Sequence, residues 1–268
     1  MTLFQKIRQL AESTDNDYLR RARDEGREIV GLYCSYVPEE LIHAAGAIPY
    51  RMRGVGSEGT NLGDTWFSSA NCSFVRRILD QGLKGGFDFL SGIVFMNGCD
   101  HNRRLYDNWR FSKATGGFTY MLFVPYARQK ASQDQYVTEL TKLKSFLEER
   151  YEITITDEAL TASIALYNKK RALLTKIAET RRAARPSLTG TEFLPLMHAV
   201  VTIPVEDAVA LLTEVLAEVT AGREVESEGK LRVIVTGSCV EELSHLELLE
   251  AGGALVVSDA ICLGARHY

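Results

Sequence analysis

The stretch EIVGLYCSYVPEELIHAAGAIPYRMRG, residues 28–54, holds three elements in one line. Residues 28–36 form a short apolar run with β-branched and aromatic members, which predicts a buried strand. Pro38 followed by Glu39 and Glu40 marks a helix N-terminus, because proline suits the first turn and carboxylates favour the positive end of the helix dipole. That helix stops at Gly46, a C-cap residue, and AIPYRMRG, residues 47–54, begins a second strand. Strand–helix–strand is the repeating unit of a parallel sheet.

The pattern continues outward on both sides. Residues 3–25 predict one surface helix, with Leu3, Ile7 and Leu10 at helical spacing. Residues 54–64 are loop by composition. The segment 66–87 places Cys72 at a helix start, with Phe74, Val75, Ile78 and Leu79 as the apolar face. SGIVFMNG, residues 91–98, predicts the next buried strand, and YMLFVPY, residues 120–126, a fourth. We therefore expect an N-terminal helix over 1–27 and a Rossmann-like α/β domain with a parallel sheet over 28–129. Residues 130–226 change to apolar positions spaced by three and four, a region of three or more helices whose apolar faces read as core. From 227 the α/β pattern returns: LRVIVTG, 231–237, as a buried strand, 240–252 as an amphipathic helix, and ALVVSD, 254–259, as a second strand. Two strands and one helix bury too little apolar surface to stand alone. The expectation is the start of a second Rossmann-like domain, over 227–268, in a truncated or shortened relative of a longer protein.

Composition narrows the function. Net charge is −4, with 31 Lys and Arg against 35 Asp and Glu. A nucleic-acid binder needs a basic excess to neutralise phosphates, so no nucleic-acid partner is expected. No apolar run approaches the roughly 18 residues of a membrane span, and the charged N-terminus lacks the apolar core of a secretory signal. The five cysteines, Cys34, Cys72, Cys99, Cys239 and Cys262, are odd in number and scattered. In a chain of this kind they read as thiols of a reducing, cytoplasmic compartment rather than a disulfide framework.

Four of these thiols lie where a strand or loop meets a helix, the edge at which open α/β sheets bind ligands. Cys72 opens a helix, Cys99 and Cys262 follow strands, and Cys239 follows Gly237 and Ser238. Helix N-termini lower thiol pKa values and favour thiolates. Thiolates converging from separate loops suit soft-ligand chemistry, zinc or iron–sulfur. Without a CxxC pair the spacing alone leaves both readings open, a metal cluster or structural cysteines. His101, two residues beyond Cys99, is a candidate proton donor or a donor to a cluster sulfur, with a helix-cap or surface role as the alternative. Arg103 and Arg104 read as phosphate contacts or as a solvated helix face. Glu39 and Glu40 are already explained by the helix dipole, and a lone Gly237–Ser238 turn is weak evidence for a phosphate site.

Four segments, in order, carry a resemblance: YCSYVPEELIHAAGAIPYRMRG, NCSFVRRILDQG, NGCDHNRRLYDNWR and EAGGALVVSDAICLGARHY. Together they resemble the 2-hydroxyacyl-CoA dehydratase / benzoyl-CoA reductase family, as does RPSLTGTEFLPL, over nearly the whole chain. The resemblance implies a [4Fe–4S] cluster held by Cys72, Cys99 and Cys262, leaving Cys34 and Cys239 as small core side chains. It implies one iron with an open position, where an acyl-CoA thioester takes up one electron. In a dehydratase the resulting ketyl radical makes β-proton loss and hydroxyl departure feasible; in a benzoyl-CoA reductase the electron enters an aromatic ring. It also implies a homologous second subunit and a separate ATP-hydrolysing iron–sulfur activator, and the chain has no GxxxxGK[ST] phosphate loop of its own. Family members continue well past the segment matching CLGAR, so a non-catalytic or electron-relay partner subunit stands as the alternative.

Overall fold

The computed structural model describes residues 1–55, 59–112, 114 and 117–268. It divides into two compact units, one of residues 19–164 and one of residues 1–18 with 165–268. Both are α/β with parallel strands.

In the first unit, β1 (Ile29–Leu32), β2 (Ile48–Arg51), β3 (Gly92–Met96) and β4 (Phe118–Leu122) form one sheet in the order β2-β1-β3-β4. Every pairing is parallel, with Ile29 opposite Ile48, Val30 opposite Gly92, and Gly92 opposite Phe118. The helices between them are α3 (Glu39–Ala44), α4 (Ser73–Leu83) and α5 (Asp100–Ser112), and α6 (Lys130–Tyr151) follows β4. Alternate residues of each strand serve opposite cores, as a pleated strand requires. Ile29, Tyr33, Ile48, Tyr50, Ile93 and Phe95 pack with Val75, Ile78 and Leu79 of α4 and Leu105 and Trp109 of α5. Val30, Leu32, Val94, Met96 and Leu122 pack with Leu41 and Ile42 of α3 and Leu143 and Leu147 of α6. Covering both faces is what a parallel sheet demands, and each such side chain contributes about 1.5–3 kcal/mol when fully buried.

The strand–helix–strand reading of 28–54 holds, with Gly46 ending α3 at φ +86°. Of the loop expected over 54–64, residues 56–58 lie outside the described residues, and Gly63–Thr65 form one turn of 3-10 helix. The fourth strand begins and ends earlier than its apolar run, because pairing with β3 stops at Leu122 and leaves Phe123 and Tyr126 exposed. The single N-terminal helix expected over 3–25 is two: α1 (Leu3–Ala11) and α2 (Asp17–Asp24). The break falls at the polar stretch 12–16, where the buried Asn16 side chain donates to the Thr202 carbonyl at 3.0 Å. That bond replaces the helical continuation the spacing suggested.

The second unit is mostly helical. Its elements are α1, the latter part of α7 (Asp157–Arg182), α8 (Gly190–Val200), α9 (Val205–Thr220), β5 (Leu231–Thr236), α10 (Ser244–Ala251) and β6 (Ala254–Ala260). Helix α8 is buried on all sides, as a helix apolar all round must be. Thr189 caps it in a reciprocal capping box with Glu192. β5 and β6 pair in parallel as a sheet of their own. Of the two, β6 is buried, whereas β5, expected to be buried, exposes Leu231 at 70% and Ile234 at 66%. Among the described residues no further strand pairs with β5, and its apolar pattern does not translate into burial here. Among the described residues, no helix is long and apolar enough to cross a membrane.

One polar contact holds the end of the first sheet. Past the last backbone pair of β1 and β3, the Tyr33 hydroxyl donates to the Met96 carbonyl at 2.9 Å and accepts from the Met96 N–H at 3.1 Å. Tyr33 is 2% exposed, and burial pushes its ionisation well above the usual tyrosine range. Removing the hydroxyl leaves two buried backbone groups without it. Tyr33→Phe should lower unfolding stability in urea by about 1–3 kcal/mol; an unchanged midpoint would contradict the role given to this contact.

Candidate metal centre

The strand order places a topological switch between β1 and β3, since the chain leaves β1 for β2 on one side and leaves β3 for β4 on the other. Ligands of open α/β sheets bind outside the carboxyl ends of the strands at such a point. Residues 33–36, 97–99 and 123–126 all leave the sheet at this edge. Cys99 lies in the turn between β3 and α5, and its carbonyl accepts from the Arg103 N–H at 3.1 Å, so it starts the helix. The turn is held from both sides. Tyr33 grips Met96, the Asn97 side-chain oxygen accepts from the Val124 N–H at 2.8 Å, and the Tyr126 hydroxyl donates to the Asn97 carbonyl at 3.0 Å. A thiol carried by such a turn has little freedom to move.

Cys72 is the N-cap of α4 and its side chain makes no capping bond, so the sulfur is left to the exterior. The loop leading to it is fastened along the helix it opens. Asp80, fully buried, accepts from the Leu62 N–H at 2.8 Å and pairs with Lys84 at 2.6 Å. Asp64 pairs with Arg76 at 2.8 Å, and the Thr60 hydroxyl together with that guanidinium holds its carboxyl below the usual range. The same loop is fastened to α5, where the Asn108 side chain donates to the Trp66 carbonyl at 2.9 Å. His101 Nδ1 lies 3.2 Å from Asn71 Oδ1, a contact in which the ring N–H donates. Thus the residue before Cys72 is bonded to the residue two beyond Cys99. The two thiol-bearing helix starts are neighbours, and His101 sits between them.

Both thiols are exposed and both stand at helix N-termini. A cleft of about 560 Å³ opens beside them, lined by Asn71, Asp100, His101, Arg103, Arg104 and Asp107. Arg103 pairs with Asp100 at 3.3 Å and Arg104 with Asp107 at 3.8 Å, all largely exposed, so the cleft has nearly balanced charge. Exposed pairs of this kind contribute little to stability and open readily to another anion. Cys34 is half-buried and packs between the two cores of the first unit, as a small apolar side chain does.

Cys262 belongs to the second unit, in the turn that follows β6. Its N–H donates to the Ser238 carbonyl at 3.0 Å, and its sulfur is 4.0 Å from the Ser238 hydroxyl. Cys239 follows β5, but the helix there begins only at Ser244, so it is not at a helix start. None of the five cysteines is in a disulfide. Among the described residues, no three His, Cys, Asp or Glu side chains are gathered as a metal-binding group. Thiols are soft-metal donors by chemistry, and in the first unit Cys72 and Cys99 are both exposed, with the Cys72 sulfur making no capping bond. Asn71, Asn97, Tyr33 and Tyr126 escaped the sequence reading. Only Asn71, adjacent to Cys72, gave any local signal.

The comparisons with known proteins bear on the same segments. The family described as 2-hydroxyglutaryl-CoA dehydratase, D-component, matches residues 34–268. The chain belongs to this family. Among curated relatives, a benzoyl-CoA reductase subunit of Thauera aromatica is 31% identical over 241 residues, 88% of this chain and 62% of that one. The lactoyl-CoA dehydratase beta subunit of Anaerotignum propionicum is 27% identical, covering 91% and 64%. The (R)-phenyllactyl-CoA dehydratase beta subunit of Clostridium sporogenes is 25% identical, covering 99% and 70%. The chain therefore spans less than two-thirds of the length of the first two. Dehydratase-family membership agrees with the resemblance carried by the four segments around Cys34, Cys72, Cys99 and Cys262.

The geometry orders the thiols by reactivity. With iodoacetamide under native conditions, Cys72 and Cys99 should be alkylated about tenfold faster than half-buried Cys34, as read by peptide mass spectrometry. Equal rates at Cys34 and Cys99 would contradict the arrangement described.

Proposed function

We propose that this chain is a cluster-bearing subunit of a 2-hydroxyacyl-CoA dehydratase-type enzyme, with Cys72, Cys99 and Cys262 as the three protein ligands of a [4Fe–4S] cluster. The observation that carries the proposal is the pairing of the Cys72 and Cys99 helix starts through Asn71 and His101, beside an open cleft. Three thiolates leave one iron open, the arrangement that catalytic rather than structural metal sites adopt. When bound, the cluster supplies a single electron at low potential to the thioester carbonyl of an acyl-CoA.

The chain's own residues do the rest of the work in this reading. The start of α4 carries the Cys72 sulfur, and the turns at 97–99 and 261–266 carry those of Cys99 and Cys262. His101, oriented by Asn71, holds or delivers a proton at the cleft. Arg103 and Arg104 exchange their carboxylate partners for the phosphates of the CoA carrier, which need a pair of cations at a cleft mouth. A homologous subunit completes the enzyme, and a separate ATP-hydrolysing iron–sulfur activator delivers the electron in the reducing cytoplasm. In this reading residues 28–129 are the Rossmann-like domain, 130–226 the helical region, and 227–268 the opening of a second Rossmann-like domain.

A second reading, reduction of an aromatic acyl-CoA, is favoured by the identity to the benzoyl-CoA reductase subunit, 31% against 27% and 25% for the two dehydratase subunits. Both readings use the same cluster. Protein purified or reconstituted without oxygen should be brown and carry about four irons per chain. Cys99→Ser should remove the colour and most of the iron, and Cys34→Ser should leave both. A colourless product after reconstitution, or equal loss in the two variants, would overturn the proposal.

A further inference from the structure

The turn that carries Cys262 is held by a carboxylate with no other evident purpose. β6 ends in Asp259 and Ala260, and the chain then turns through residues 261–267. Asp259 is 8% exposed. Its Oδ1 accepts from the Ala265 N–H at 2.8 Å, spanning the turn from one end to the other. Its Oδ2 accepts from Arg181 Nη1 at 2.8 Å, and the two side chains are 6% and 2% exposed. Arg181 is fixed in turn, donating from Nη2 to the Val256 carbonyl at 3.2 Å and lying 4.2 Å over the Phe193 ring. The carboxylate also dictates the residue opposite it, since a Cβ on Gly264 would meet Asp259 Oδ1 at 2.0 Å. On the other side of Cys262, its own N–H is bound to the Ser238 carbonyl.

A carboxylate in this place does two things that a backbone turn alone cannot. It accepts the Ala265 N–H across the turn, and it ties the turn to the long helix α7 through an ion pair with the Arg181 guanidinium. The turn therefore inherits the rigidity of the packed interior instead of the mobility of a loop.

We infer that Asp259 is a positioning residue for the Cys262 thiol, holding its turn in one conformation through Ala265 and Gly264 and being held itself by Arg181. The importance of this device for catalysis rests on the reading of Cys262 as a cluster ligand. Its content is geometric and can be tested in metal-free protein.

Two variants separate the device from general loosening. Asp259→Asn removes the charge that Arg181 holds. Gly264→Ala displaces the carboxylate while leaving every charge in place, and serves if the first variant fails to fold. Iodoacetamide alkylation, resolved cysteine by cysteine by mass spectrometry, gives the readout. Cys262 should be alkylated about fivefold faster or more in either folded variant, while Cys72 and Cys99 stay within about twofold of the parent. An unchanged rate at Cys262, or a rise shared by all three thiols, would overturn the inference. A parallel Cys262→Ser variant tests the ligand reading by iron content after reconstitution. Iron retained there would refute the ligand assignment and leave the alkylation result standing, so the two failures are distinguishable.

Discussion

A parallel ladder cannot close itself at its carboxyl end, and in this protein a tyrosine hydroxyl closes it. Tyr33 meets both hydrogen-bonding groups of the last residue of β3, one as donor and one as acceptor. The position of everything that follows β3 depends on this contact. Had Met96 been left to water, the turn at 97–99 would fray with the strand end, and Cys99 would sweep a volume instead of occupying a place. Burial of Tyr33 makes the contact durable, because the hydroxyl is withdrawn from water and desolvation pushes its ionisation up.

The same solution recurs, with different chemistry, at each thiol proposed as a ligand. Cys99 is fixed by Tyr33, Asn97 and Tyr126 across the ends of three strands. Cys72 is fixed by a loop bound to α4 through Asp80 and to α5 through Asn108 and Asn71. Cys262 is fixed by Asp259 and Arg181. The energetic weights differ. The exposed pairs at Arg103 and Arg104 contribute little and can be exchanged for another anion. The buried Arg181–Asp259 pair is costly to break from one side, about 3–5 kcal/mol, because a charge would be stranded in the interior. In the proposed reading, the supports behind the sulfurs would hold the cofactor and the loosely paired charges at the cleft would admit the substrate.

Much of this fold was legible in the sequence because its signals are local. Pro38, the glutamates after it and Gly46 punctuate residues 28–54 where the chain does change element, and the thiols at 72 and 99 do stand at helix starts. What was not legible depends on residues far apart in sequence. Asn16 breaks the N-terminal helix by bonding to the carbonyl of Thr202, which no spacing rule anticipates. Asp80 lies in the apolar face of α4, where it would count as an exception until the loop it captures is seen. Asn71 and His101 are thirty positions apart by number and one hydrogen bond apart in space. β5 was expected to be buried from its composition alone. Composition reports that a strand can be covered, not that a neighbour is present to cover it.

The central claim, as proposed, is that the thiols of Cys72, Cys99 and Cys262 share one inorganic core. Iron-edge anomalous diffraction from crystals grown without oxygen addresses it most directly. The account predicts one compact anomalous peak bonded to the sulfurs of Cys72, Cys99 and Cys262, with no protein sulfur on the remaining iron. A peak bonded to Cys34 or Cys239 in place of any of these, or iron bound to a single turn alone, would contradict it.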